Sequence, residues 1–145
     1  MAIMRFSDAA SHAMLDGAGG LIGFLNTGAG VATVNYYNGT MVATGDTAIG
    51  SQTLLATLDY SDPVEAGASA SRKVVFDPIS TENAVADGTA TFAIVLNANG
   101  DRAWACDVGN LSSTAAIKLG NTTFTNGLPA GLTSAEIAIP TTITT

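Results

Sequence analysis

Apolar residues near the N-terminus recur at the spacing of a helix face. In the segment "FSDAASHAMLDGAGG" they fall at i, i+4, i+7 and i+8, the positions of Phe6, Ala10, Ala13 and Met14. Ser7 suits the N-cap, and Asp8 suits the first turn, where the helix dipole favours a negative charge. Glycines from Gly17 onward end the pattern. We predict one short helix, which at roughly 10 residues needs packing against its own domain or a partner.

After residue 30 the pattern changes to short runs with strand-like alternation, separated by Gly, Asn, Asp and Pro. It predicts about eight strands, at 31–37, 53–60, 72–76, 89–97, 102–108, 115–119, 122–124 and 134–140. Asn38-Gly39 is a strong hairpin-turn signal after the first of them. This spacing is typical of an all-β, antiparallel sandwich or barrel. We assign residues 1–28 to a helix or arm and residues 29–145 to the β domain.

The segment "ATFAIVLNANGDRAWACDV" predicts a hairpin that turns through Asn97–Asp101. Alternation places one set of residues on one face of the first strand and a second set on one face of the second strand. We expect the two sets to meet in one apolar core face, made of Phe92, Ile94, Leu96, Trp104, Cys106 and Val108. On this interpretation Cys106 is a small buried hydrophobic residue and not a nucleophile.

Composition narrows the possible partners. The chain of 145 residues is 47% hydrophobic but only 12% charged, and its formal net charge is −7. Nucleic-acid binding needs clustered Lys and Arg, whereas this chain has five basic residues, of which only Arg72 and Lys73 are adjacent. We therefore expect no nucleic-acid partner and no attraction to an anionic membrane. The low charge favours a surface that is covered within an assembly.

Candidate reactive groups are few. His12 is the single histidine, and one short helix cannot aim Ser7, Asp8 and His12 at one another as a catalytic relay. The Asn97–Asp101 turn lacks the spaced carboxylates of a calcium loop. The acids at 59, 62 and 65 fit a solvated strand end and loop better than a glycosidase pair. We expect no enzymatic activity, no cofactor and no bound metal. With a single cysteine and no secretory signal or membrane span, we expect a protein made in a reducing compartment.

Four pieces of the chain resemble, in order, a family of small virion proteins of tailed bacteriophages. They are "RFSDAASHAMLDG" at 5–17, "YYNGTMVATGDTAIGSQTLLATL" at 36–58, "GTATFAIVLNANGDRAWACDVGN" at 88–110 and "IKLGNTTFTNGLPAGLTSAEIAIP" at 117–140. The chain departs from the family pattern at Met41, where Pro is common, and at Ile94, where Arg is common.

The resemblance implies a capsid decoration, or cement, protein with a jelly-roll-like sandwich. Such a protein would be made in the bacterial cytoplasm, would bind the major capsid protein on the outer head surface and would form a homo-dimer or homo-trimer. The N-terminal segment is then the candidate arm. Its expected partner-binding residues are Arg5, Phe6, Met14, Leu15, Leu21 and Phe24. The same segment could instead pack on its own β domain.

Two other functions stay open from the sequence. One is a tail, neck or fibre-base component of the same virion, which would be present in far fewer copies. The other is a module that binds carbohydrate on the host surface, which requires aromatic side chains in a cleft.

Overall fold

Turn residues divide most of the chain into short strands, and the prediction of an all-β, mainly antiparallel fold is confirmed. The computed structural model describes residues 1–16, 19–64, 66–67, 73–76, 80–130 and 135–138. Gly17, predicted to end the first helix, and Glu65, considered as an acid, lie outside these ranges, as do the outer residues of the strands predicted at 72–76 and 134–140. The elements in chain order are β1 (Met4–Phe6), α1 (Asp8–Asp16), α2 (Gly20–Leu25), β2 (Thr33–Asn38), β3 (Thr53–Asp59), β4 (Ala66–Gly67), β5 (Lys73–Phe76), β6 (Glu82–Asn83), β7 (Gly88–Thr89), β8 (Phe92–Leu96), β9 (Arg102–Asn110), β10 (Ile117–Leu119), β11 (Thr123–Phe124), β12 (Pro129–Ala130) and β13 (Ala135–Ala138).

Six strands form the main sheet, in the order β1-β9-β8-β2-β3, with β10 also paired to β9. β1 and β10 lie end to end along one edge of β9. β1 pairs antiparallel with residues 104–106, and β10 pairs parallel with residues 108–110. The Asp107 carboxylate accepts hydrogen bonds from the backbone N–H groups of Ile3 at 2.9 Å and Ala116 at 2.8 Å. One side chain therefore ties both edge segments to β9.

The predicted helix forms as α1, and a second helix follows it. Ser7 caps α1, because its Oγ accepts a hydrogen bond from the Ala10 N–H at 3.1 Å. Gly19, in the left-handed region at φ 79°, then turns the chain into α2. A second helix therefore follows the first, whereas the sequence pattern predicted only an end to the first.

Strand pairing gives the main sheet two faces. The face that contacts both helices, which we call the helix-side face, carries Val34, Tyr36, Ala93, Val95, Trp104 and Cys106. Ala10 of α1 and Leu25 of α2 are fully buried in the same core. The small strand pairs β7–β11 and β6–β12 contribute to this core through residues that include Phe124 and Ala130. Regular elements therefore cover this face.

The opposite face, which we call the loop-side face, carries Tyr37, Phe92, Ile94 and Ala105. The rings of Tyr37 and Phe92 stack with centroids 5.1 Å apart. Residues 39–52 cover this face without forming a helix or strand, and Val42 is buried there beside half-buried Ile49.

The Asn38-Gly39 hairpin prediction is wrong, because β2 pairs with β3 only from Thr53. Gly39 does have φ 124°, but the chain leaves the sheet there instead of turning back at once. The Thr91 hydroxyl donates to the Gly39 carbonyl at 2.6 Å, which holds the departing chain against the start of β8. Local turn preference is overridden by the apolar residues beyond Gly39, which bury themselves on the loop-side face.

The hairpin of β8 and β9 forms, but its six predicted core residues do not share one face. Val95 pairs with Trp104 and Ala93 with Cys106, so Trp104 and Cys106 lie on the helix-side face. Phe92, Ile94 and Leu96 belong to the loop-side cluster, whereas Val108 belongs to the helix-side core. A register shift between Val95 and Leu96 contributes to this arrangement. The prediction of a single shared face is therefore wrong, because the two strands pair one residue away from the expected register.

Candidate functional site

A cavity of about 300 Å³ lies beside the helix-side face, where residues of β11 and β12 meet residues of β2 and β3. Tyr36 and Leu58 of the main sheet contribute to its wall, together with the segment that runs from β10 to β12. The described lining residues are Tyr36, Leu58, Ala84, Leu119, Gly120, Asn121, Thr123, Phe124, Thr125, Leu128, Pro129 and Ala130.

Local hydrogen bonds fix the segment that forms most of the cavity wall. The Asn121 side-chain oxygen accepts from the Thr123 N–H at 2.9 Å, an Asx turn that directs the chain into β11. The Ala90 N–H donates to the Thr122 carbonyl at 2.8 Å. Gly127, at φ 78°, then reverses the chain, and its N–H donates to the Ala84 carbonyl. The wall is therefore held by backbone contacts to residues 84 and 90 on both sides of β7.

Tyr36 is the most unusual residue of this wall. Its side chain is fully buried, and its hydroxyl is the only buried side-chain polar atom without a hydrogen-bond partner among the described residues. Burial raises the pKa of Tyr36 well above its ordinary value, and the nearby Tyr60 and Cys106 raise it further. The phenol is therefore neutral at physiological pH. The Phe124 ring stacks on it, with centroids 5.6 Å apart and planes 28° apart.

The described lining residues carry no Asp, Glu, Lys, Arg or His. The polar residues Asn121, Thr123 and Thr125 line the cavity together with the apolar residues Leu58 and Leu119. No group of three or more potential metal ligands occurs among the residues that the structure describes. The cavity can therefore offer hydrogen bonds and apolar contact to an uncharged group.

The predicted partner-binding residues separate into two groups. Arg5, Phe6, Leu21 and Phe24 are half-buried within the molecule: the Arg5 guanidinium donates to the Val42 carbonyl, and the other three pack on the helix-side core. Phe6 contacts Trp104 with ring centroids 6.0 Å apart. Only Met14 and Leu15 are exposed, at 40% and 84%. For these four of the six predicted residues, the N-terminal segment therefore packs on its own β domain, as the alternative expected.

The residues considered for catalysis are dispersed. Ser7 is buried, and its hydroxyl donates to the Arg102 carbonyl at 2.6 Å, whereas His12 is exposed. Burial, reinforced by Asp107, raises the pKa of the Cys106 thiol to about 12, although a hydrogen bond with Trp104 opposes this shift. A thiol in that state is a poor nucleophile at neutral pH.

The Asn97–Asp101 turn satisfies its own polar groups. The Asn97 side-chain oxygen accepts from the Asn99 N–H at 3.0 Å and the Asp101 N–H at 2.8 Å. The Asp101 carboxylate accepts from the Asn97 and Asn99 amides. The arrangement is an Asx-stabilised hairpin turn.

No local sequence pattern indicates the cavity, since its described lining residues come from β2, β3, residue 84 and the separate segment 119–130. No protein-family model, curated protein or solved structure matches the chain. Within the described ranges, no helix is long and apolar enough to cross a membrane.

Proposed function

We propose that the protein is a capsid decoration protein that binds the major capsid protein on the outer surface of a bacteriophage head. The observation that best supports this proposal is the exposed pair Met14 and Leu15 on a helix that is otherwise anchored in the molecule. Exposed apolar side chains that form one contiguous patch are typical of contact surfaces, and these two neighbours would form part of such a patch. The family resemblance of the sequence supports the same role.

Helix α1 presents this pair rigidly. Its start is fixed because the Ser7 N–H donates to the Ala103 carbonyl at 2.9 Å and Ser7 caps the helix. Ala10 is fully buried against the core, and Leu15 lies about 140° around the helix from it. Leu15 therefore points away from the core, and docking would not require the helix to rearrange.

Burial of Leu15 at a capsid seam would contribute about 1.5–3 kcal/mol per copy. Binding of many copies would stabilise the assembled shell by mass action. The net charge of −7 suits an outer position, away from packaged DNA. The proposal includes a homo-dimer or homo-trimer at each seam, and it assigns a binding role without chemistry.

The proposal also includes a sandwich of jelly-roll type. In it, the pairs β6–β12 and β7–β11 would be part of a second layer over the main sheet. The stacking of Phe124 from β11 on Tyr36 from β2 supports such layering.

Copy number in purified virions tests the location. We expect hundreds of copies per particle, measured by quantitative mass spectrometry. A few to some dozens of copies would instead support a tail, neck or fibre-base component. Absence from purified virions would overturn both virion assignments.

The contact surface is tested by adding purified protein to heads that lack it. Leu15→Asp should weaken head binding about tenfold to a hundredfold, because it replaces the buried apolar contact with a charge. Leu111→Asp is the matched control, since Leu111 is 68% exposed in the turn after β9 and should leave binding unchanged. Equal binding by wild type and Leu15→Asp, with both correctly folded, would remove α1 from the contact.

A further inference from the structure

The dipeptide Asn-Gly occurs three times in the chain, at 38–39, 99–100 and 126–127. Asn before Gly loses its side-chain ammonia more readily than elsewhere, because glycine has no Cβ to obstruct the reaction. We propose that Asn99, at the tip of the β8–β9 hairpin, is the residue at which the folded protein undergoes this covalent modification. The proposal does not depend on the capsid role, since the reaction requires no partner protein.

The reaction consumes only water. The Gly100 backbone nitrogen loses its proton to hydroxide and attacks Cγ of the Asn99 side chain. The bond between Cγ and Nδ2 then breaks, and Nδ2 takes up a proton from water and leaves as ammonia. A water molecule opens the remaining five-membered succinimide at either carbonyl, which gives aspartate or isoaspartate. The reaction therefore requires a Gly nitrogen that is released from its hydrogen bond and an Asn side chain that can approach it.

The pair at 38–39 is protected by contacts with a distant segment. Asn38 Nδ2 donates to the Thr89 carbonyl at 3.0 Å, and the Gly39 N–H donates to the Thr91 hydroxyl at 3.1 Å. Asn38 is also half-buried at the end of β2. Both reacting groups are therefore held in place by residues 51 and 52 positions further along the chain.

The pair at 126–127 is exposed, but its backbone is tied to another segment at both residues. The Asn126 N–H donates to the Asp87 carboxylate at 2.8 Å, and the Gly127 N–H donates to the Ala84 carbonyl at 2.8 Å. The attacking nitrogen is therefore released only when the contact between this segment and residues 84–87 opens.

The corresponding bonds of the pair at 99–100 stay within one turn. The Gly100 N–H donates to the Asn97 carbonyl at 2.9 Å, and Asn99 Nδ2 donates to the Asp101 carboxylate at 3.2 Å. Asn99 is exposed, and a β-carbon on Gly100 would meet no atom within 4 Å apart from its chain neighbours, so the site has room for the succinimide ring. Opening of the turn tip alone frees both reacting groups, and such local openings cost less free energy than the separation of packed segments.

The product would weaken the hairpin. Isoaspartate lengthens the backbone within a turn whose Asn97 N–H donates to the Asp101 carbonyl at 2.8 Å. Either product replaces the Nδ2 donor with a carboxylate next to that of Asp101, and like charges at this distance repel. The thermal midpoint of the modified protein should therefore be lower than that of fresh protein, and an unchanged midpoint would contradict this consequence.

Peptide mapping by mass spectrometry tests the ranking of the three sites. The full chain is incubated at mildly alkaline pH in water enriched in heavy oxygen, which marks products formed before digestion, and isoaspartyl methyltransferase identifies isoaspartate. In the folded protein Asn99 should react at least about fivefold faster than Asn38 or Asn126, because the bonds at those sites reach distant segments. In urea the three sites should react at similar rates. Equal or faster reaction of the folded protein at Asn38 or Asn126, or no product at Asn99, would overturn the proposal.

A variant tests whether hydrogen bonds set this ranking. Thr91→Val removes the hydroxyl that accepts the Gly39 N–H, and should accelerate the reaction at Asn38 while leaving the rate at Asn99 unchanged. Thr89→Val is the matched control, since it keeps the carbonyl that accepts Asn38 Nδ2, and should leave both rates unchanged. An unchanged rate at Asn38 in Thr91→Val would contradict the protective role of the bond and with it the basis of the ranking.

Discussion

The two faces of the main sheet bury similar side chains beneath very different covers. On the helix-side face, α1, α2 and small strand pairs surround Trp104 and Tyr36. On the loop-side face, the irregular segment 39–52 covers Tyr37 and Phe92. Regular elements satisfy most of their own backbone polar groups, whereas an irregular segment must find partners elsewhere.

Segment 39–52 finds several of these partners on β1 and β9 and at the start of α1. The Arg5 guanidinium donates to the Val42 carbonyl, and the Arg102 guanidinium donates to the Thr47 carbonyl. The Asp46 carboxylate accepts from the Asp8 N–H at 2.9 Å, at the start of α1. A cover without secondary structure therefore depends on a few specific side chains and on close backbone contact.

Truncation of the largest fully buried side chain on each face tests the difference between the covers. Trp104→Ala and Phe92→Ala should each lower the free energy of unfolding by about 3–5 kcal/mol. We expect Trp104→Ala at the upper end, since regular elements close over its cavity less readily than an irregular segment does. Guanidinium unfolding followed by far-ultraviolet circular dichroism measures both. A larger loss of stability for Phe92→Ala would mean that the irregular segment closes over a cavity less readily than the regular elements do.

Close backbone contact is tested at Gly45. A β-carbon at this position would lie 2.3 Å from the Ser7 nitrogen and 2.4 Å from the Phe6 carbonyl carbon. Gly45→Ala should therefore push segment 39–52 away and destabilise the protein by about 1–3 kcal/mol.

Gly50→Ala is the matched control in the same segment, because its nearest neighbour would be the Gln52 side-chain oxygen at 3.8 Å. Urea unfolding should show little change for Gly50→Ala. Similar losses in the two variants would mean that backbone stiffness, and not the contact with β1, causes the effect.

Alkaline pH should weaken the helix-side core through its buried thiol. The pKa of Cys106 is raised from 9.0 to about 12 in the folded protein, so its contribution to stability is intact below pH 9 and is lost as pH rises from 9 toward 12. From pH 9 to pH 10 the stability should fall by about 1 kcal/mol. Burial also raises the pKa of Tyr36 and Tyr60 above 10.0, which adds to the loss at higher pH.

Unfolding by urea at pH 8, 9 and 10 measures this slope. Cys106→Ala should show a shallower decrease, because the ionising thiol is absent. An identical pH dependence in this variant and wild type would assign the alkaline sensitivity to other groups.

Much of the local structure is predictable from the sequence. The expected strands at 53–60 and 102–108 correspond to β3 and β9, and the segment after Ser7 forms α1. These elements follow from periodicity and capping, which act over a few residues. The face assignment of Trp104 was not predictable in this way, because one register shift near Leu96 exchanges the two sides.

The cavity and the cover formed by residues 39–52 both depend on contacts between segments that are distant in the sequence. Tyr36 meets Phe124 only after β2 and β11 have been brought together. Gly45 meets Phe6 and Ser7 across a similar tertiary contact. Patterns that act over a few residues do not indicate which distant segments come into contact. The sequence therefore predicted neither the cavity nor the cover formed by residues 39–52.

The shared edge of β9 also imposes an order of assembly. Ile3 and Asp107 are 104 positions apart, whereas Ala116 and Asp107 are only 9 apart. Closing the longer loop costs more chain entropy and requires β9 to exist first. During synthesis β1 leaves the ribosome well before β9 and must wait until β9 has formed. β1 is therefore among the last strands of the sheet to reach its place.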